Sequence, residues 1–332
     1  MEEERRLYPF RFCLLQDDYP WGSEAFQLAD LGYRDSLVRE GWLAGNSISE
    51  VMDTYLDRVV GEKVYGYYGR QFPVCVRRLH VRGRMPLRVH PDDVTAAQRY
   101  DFLGKEKCWY VLRAGSGARL MAGFRRDTDA SEFYAKCLDG SAEDLLNGVA
   151  PHAGLCLRIP SGTPHAAAGD VEILEIAESS PMDFCLCSWG EALHPDEFDA
   201  SLTLADALDF IDYRRFSLPP VPPVLPERPD RLVDLPQLRI DRLRLDGALD
   251  VRNGEGESFA LYSCVRGSAS VQLPAGSGKM SGTALETGET LLVPAECEAY
   301  RLVPAGQDAV LLKTTVVRSE EDPYSGESVS AA

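Results

Sequence analysis

At 332 residues the chain is long enough for two domains with separate cores, and 45% hydrophobic with 26% charged residues excludes wholesale disorder or a fibrous repeat. A net charge of −17 opposes binding to nucleic acid or to an anionic membrane, because an acidic field repels polyanions. No apolar run approaches the roughly 18 residues that span a bilayer, and Met1-Glu2-Glu3-Glu4-Arg5-Arg6 lacks a secretory apolar stretch, so a cytoplasmic location is expected.

Strand-like runs come first, at 74–81, 87–90 and 108–114. Residues 129–148 then carry apolar positions at helical gaps, broken at Asp139-Gly140, which predicts a two-helix excursion. Strands resume at 155–160, 171–178 and 184–189, and the spacing over 196–213 predicts a capping helix. Short strands separated by Gly, Pro and Asp predict a mainly β fold of antiparallel, jelly-roll-like barrels. The absence of a strand followed by a glycine-rich phosphate turn disfavours a Rossmann fold.

The prolines of SLPPVPPVLPERPD, 217–230, remove backbone donors and favour an extended linker; the other reading is a ligand for an SH3-type partner. The β pattern returns at 259–265, 269–273, 290–293, 300–303 and 309–315. The expected domains are therefore 1–216, a linker over 217–234, and a smaller barrel over 235–332 ending in a mobile SGESVSAA tail.

The nine cysteines are odd in number and include no Cys-x-x-Cys pair. Cys75, Cys108, Cys156, Cys185 and Cys187 lie in apolar runs, which reads as buried reduced thiols. His80, His152 and His194 lack ligand spacing and read as hydrogen-bonding residues.

An internal repeat supports the two-barrel reading. Gly154, Pro160, Gly162 and His165 follow one another with five, one and two intervening residues, the order of the second cupin motif. A tight turn, a buried strand and a second turn would aim the histidine inward. Gly288 and Pro294 repeat the first half, but Glu296 and Ala299 replace the second glycine and the histidine, so the second barrel reads as structural.

Strand parity sorts the charged residues. Positions 88 and 90 share a face, as do 105 and 107, while Glu106 faces the other way. Glu175 alternates with Val171, Ile173 and Ala177 on an inward face, where an ionised carboxylate requires a buried partner; Arg88 and Lys107 are the candidates.

Four ordered segments, FPVCVRRL at 72–79, MPLRVHPDD at 85–93, GKEKCWYVL at 104–112 and IPSGTPHAAAGDVEILEIAESS at 159–180, resemble the class I mannose-6-phosphate isomerases. The resemblance implies a double-cupin zinc enzyme interconverting mannose 6-phosphate and fructose 6-phosphate, whose metal is held by a Gln-x-His pair, a Glu before a Trp-Tyr strand and a distant His. His90 and His165 match the two histidines and are the expected metal ligands. Arg88 and Lys107 stand at the Gln and Glu positions; neither is an ordinary zinc ligand, and both are expected to bind substrate. Lys105 and Glu175 match active-site positions and are the candidate catalytic residues, whereas Cys185 stands where the family has an arginine.

Three readings follow. One is a sugar-phosphate isomerase; another is a non-catalytic protein holding a phosphosugar or related anion through Arg88, Lys105 and Lys107. The third is a two-histidine oxygenase with Glu175 as third ligand. The expected partner is a small phosphosugar-like molecule, with no nucleic acid and no membrane.

Overall fold

The computed structural model describes residues 5–194, 197, 199, 201–217, 229–254, 257–275 and 279–318. The heart of the expected linker, 218–228, and the C-terminal tail lie outside the described residues. No helix among those described is long and apolar enough to cross a membrane.

The chain divides into two compact units that are discontinuous in sequence. One comprises Met1–Leu15, Gln27–Val76 and Val221–Glu321; the other is chiefly Gln16–Phe26 and Arg77–Pro220. The first 76 residues therefore contribute to both units.

The candidate site belongs to the second of these units. Its strands are β1 (Leu15–Tyr19), β2 (Gly22–Leu28), β3 (Val74–Val81), β4 (Leu87–Val89), β5 (Lys107–Ala114), β6 (Arg119–Phe124), β7 (Leu146–Val149), β8 (Cys156–Ile159), β9 (His165–Ala168), β10 (Val171–Glu178) and β11 (Phe184–Cys187). They form a six-stranded sheet, β1-β2-β3-β10-β5-β8, and a five-stranded sheet, β11-β4-β9-β6-β7. The pairing between β10 and β5 is antiparallel and sets Glu175 beside Trp109 and Ala177 beside Lys107. Val89, Trp109, Val111, Leu120, Ala166, Ile173 and Phe184, drawn from both sheets, share one apolar core. Burying such side chains supplies about 25 cal/mol per Å² of apolar area removed from water.

The other unit carries β12 (Asp230–Asp234), β13 (Arg239–Leu245), β14 (Leu249–Arg252), β15 (Ala260–Arg266), β16 (Ser268–Ala275), β17 (Lys279–Glu286), β18 (Thr290–Val293), β19 (Ala299–Pro304) and β20 (Ala309–Thr315). Their sheets run β12-β13-β20-β15-β18 and β14-β19-β16-β17. Segments from the N-terminal part pack here: Phe10 bridges Leu292, and the Phe72 and Phe259 rings lie 4.8 Å apart. The helix Ile48–Tyr55 in this unit starts from a reciprocal cap between Ser47 and Glu50.

The expected mainly β, cupin-type architecture holds, with one correction: both halves are pairs of antiparallel sheets rather than closed barrels. Two local elements also differ. In place of two helices, 129–148 folds as the helix Ala130–Leu138, a 3₁₀ turn Ala142–Leu145 and β7, because Leu146 and Val149 complete a sheet edge against β6. Of the helix expected over 196–213, the described residues contain one turn, Leu204–Ala207, capped by Thr203; positions 196, 198 and 200 lie outside them.

Candidate active site

His90 sits immediately after β4, where Pro91 ends the strand and Asp92 caps the next helix by accepting from the Thr95 amide at 2.8 Å. His165 opens β9, and its neighbour across the sheet is Arg88. The turn between β8 and β9 locks the two histidines together: the Gly162 amide donates to the His90 carbonyl at 2.8 Å. Gly162 has φ +73°, and a Cβ there would lie 2.6 Å from the Phe210 carbonyl oxygen, so glycine is required. The motif spacing from 154 to 165 thus produces an inward-facing, fully buried histidine.

Lys105 and Lys107 enter from the start of β5, with Trp109 two residues on. Glu106 faces away, as parity predicts: its carboxylate accepts from Arg158 Nε at 3.1 Å and the Ser161 amide at 3.2 Å. Asp183 arrives just before β11, from a turn in which Ser180 Oγ donates to the Leu103 carbonyl at 2.8 Å.

These side chains form one ionic cluster. Lys105 Nζ donates to Asp183 Oδ2 at 2.8 Å, and Lys107 Nζ donates to Asp183 Oδ1 at 3.2 Å. Lys107 Nζ also lies 3.2 Å from His165 Nε2 and 3.6 Å from Glu175 Oε2. His165 Nδ1 lies 2.9 Å from the Thr163 carbonyl, which accepts only, so Nδ1 bears the proton and Nε2 presents its lone pair to the ammonium. Glu175 accepts from Arg77 Nε at 2.6 Å and from Trp109 Nε1 at 2.7 Å. Arg77 reaches on to Glu24 at 2.9 Å, and Arg88 bridges Glu24 and Glu197, each at 2.9 Å. Arg77, Arg88, Lys105 and Lys107 are thereby balanced by Glu24, Glu175, Asp183 and Glu197.

The electrostatics follow from burial and proximity. Burial lowers the Lys107 ammonium below its usual range, although Asp183 and Glu175 oppose that shift. Burial, then the charge of Lys107, pushes His165 down to about 3 and His90 well below the histidine range, so both imidazoles are neutral at neutral pH. Burial would raise Glu175 and Asp183, but the surrounding cations win and hold both below the ordinary carboxylate range. His90 is fully buried, and neither of its ring nitrogens has a hydrogen-bond partner among the described residues.

All six residues singled out from sequence, Arg88, His90, Lys105, Lys107, His165 and Glu175, meet in this cluster. Arg77, Glu24, Asp183 and Glu197 were not among them. The principal buried partner of Glu175 is Arg77, with Lys107 more distant, and Arg88 pairs elsewhere. Cys185 lies opposite Arg88 in the β11–β4 pairing, and burial pushes its thiol up to about 12. All nine cysteines are free.

A double-cupin protein with two buried histidines at adjoining strands of one sheet is the class that this fold and site define. No family model matches the chain. A 145-residue stretch is 33% identical to the mannose-6-phosphate isomerase of Streptococcus mutans serotype c, covering 44% of each chain. Another match, 29% identical over 159 residues, is to the "Probable mannose-6-phosphate isomerase GmuF" of Bacillus subtilis strain 168, covering 47% of this chain and 48% of that one. The matched stretches span about half the length of these curated relatives. The mannose 6-phosphate isomerase structure from Bacillus subtilis superposes with a TM-score of 0.79 at 19% identity, over 93% of this chain and 99% of that one. Over these stretches the chain is similar to mannose-6-phosphate isomerases, and it shares their fold.

The zinc implied by that resemblance does not fit the side chains as they stand. His90, His165 and Asp183 offer donors within 4.8 Å of one another, yet Lys107 Nζ contacts two of the three. An ammonium and a dication compete for the same lone pairs.

Proposed function

We propose that the protein interconverts mannose 6-phosphate and fructose 6-phosphate at the His90–His165–Lys107 cluster. The observation that carries this reading is His90: a fully buried neutral imidazole with two unpartnered nitrogens, next to a fixed ammonium. Buried polar groups without partners are rare in native proteins and cluster where a ligand completes them.

In this reading the open-chain sugar places its C1–C2 edge against His90. The neutral imidazole takes the proton from C2, the C1 carbonyl oxygen gains negative charge as the enediolate forms, and the Lys107 ammonium offsets that charge. The proton then returns to C1, while the O2 hydroxyl proton passes to O1, leaving the ketose. Lys105 orients Asp183, and Glu175 holds the Lys107 side of the cluster in register through Arg77 and Trp109. Arg88 acts by fixing Glu24 and Glu197.

Proton NMR in deuterated buffer at high enzyme concentration tests the proposal. Mannose 6-phosphate is expected to yield fructose 6-phosphate with deuterium at the transferred position, and His90→Gln is expected to abolish both signals. Failure of the unmodified protein to produce either product or exchange overturns the assignment.

A further inference from the structure

Lys107 does not merely line the donor cluster; its ammonium nitrogen stands among the donors. Three hydrogens are available on that nitrogen, and Asp183, His165 and Glu175 lie at 3.2, 3.2 and 3.6 Å. His90, the remaining donor, is left with both nitrogens unpartnered among the described residues. A cluster built around an ammonium accounts for this: it holds one lone-pair donor more than the ammonium has hydrogens.

Charge agrees. With Arg77 and Lys105 already at Asp183, an added dication beside Lys107 would face three cations.

We propose that Lys107 permanently holds the cation position defined by His90, His165 and Asp183, so that the folded protein takes up no zinc there, and that Lys107→Glu converts the same donors into a zinc site. The substitution exchanges one positive charge for one negative charge, and a bound dication restores the original balance. This inference goes beyond the isomerase reading, and metal content reports on it separately from turnover.

The test is elemental analysis after equilibration with zinc chloride and removal of free metal. The unmodified chain is expected to retain less than about 0.1 zinc per chain and Lys107→Glu about one, with zinc raising the melting temperature of that variant only. Adding His165→Gln to Lys107→Glu is expected to weaken zinc binding by about tenfold or more. Lys107→Gln, which removes the charge and is one heavy atom shorter, provides the second variant should Lys107→Glu fail to fold, and is expected to bind zinc more weakly through the three native donors. Stoichiometric zinc on the unmodified chain overturns the proposal, as does the absence of zinc uptake by the folded variants.

Discussion

Arg77 Nε donates to Glu175 Oε1 at 2.6 Å, joining β3 to β10 next to β5, the strand that opens at Lys107. Both side chains are buried, so the pair is held by geometry and by the further bonds that each makes. Removing one partner strands the other charge in a low dielectric. Glu175→Ala is expected to lower the unfolding free energy by about 3–5 kcal/mol, and Glu175→Gln, which keeps the volume and an acceptor for Trp109, by less. Urea unfolding followed by Trp fluorescence checks both; equal losses for the two variants would mean that the lost charge rather than the lost packing sets the cost.

Arg88 uses a guanidinium fork where a point charge cannot serve. Its two terminal nitrogens reach Glu24 and Glu197, and Glu197 also accepts from Trp21 Nε1 at 2.7 Å. Arg88→Lys keeps the charge but not the fork, so one carboxylate loses its buried partner at a cost of about 2–4 kcal/mol. A shifted Trp21 emission maximum, isolated by comparison with Trp21→Phe variants, is expected alongside the loss. An unchanged spectrum and stability would show that a single ammonium is sufficient.

Much of the site was legible because strand parity is local. Residues 88 and 90, and 105 and 107, fall on shared faces, and Glu106 turns to Arg158 because alternation requires it. The need for a partner at Glu175 was likewise legible, but its identity was not, since that depends on the sheet order β3-β10-β5, which joins segments about a hundred residues apart. Arg77 did leave a signal, as one of two adjacent arginines, Arg77 and Arg78, within the first strand-like run at 74–81. Glu24, Asp183 and Glu197 left none: one lies in a strand that the pattern did not single out and two lie outside regular elements, so only tertiary contacts reveal them.

The cluster sets an acid limit on stability. Burial holds His165 at about 3 and His90 well below its usual value, while unfolded histidines titrate near about 6.5. Below that pH the unfolded chain binds protons that the folded chain refuses, so stability falls as pH falls, by up to about 1.4 kcal/mol per pH unit for each histidine. Glu175 and Asp183, depressed by their cations against the effect of burial, act in the same direction below about pH 4.5: their contribution is complete above the unfolded carboxylate values and is lost as pH falls through the folded ones. Denaturation midpoints measured from about pH 7.5 to 4.5 should decline, with a shallower slope in His165→Asn. A flat profile between about pH 6.5 and 5 would mean that the imidazoles titrate normally in the folded protein.

The turn at Gly162 couples backbone conformation to the placement of His90. Its amide bonds the His90 carbonyl at 2.8 Å, its own carbonyl accepts from the Asp212 amide at 2.9 Å, and its φ of +73° lies in the left-handed region. Gly162→Ala adds a methyl group 2.6 Å from the Phe210 carbonyl oxygen, a backbone atom that cannot swing aside. The conformational strain alone costs about 1–3 kcal/mol, and relieving the clash must shift either the 210–212 segment or the His90 backbone. The expected outcome is a lowered melting temperature together with faster amide exchange at Gly162 and Asp212, read by hydrogen–deuterium exchange mass spectrometry. Ser161→Ala, one residue away and without the steric conflict, should leave both measurements near those of the unmodified chain; if the two variants behave alike, the turn tolerates a side chain and does not fix the histidine.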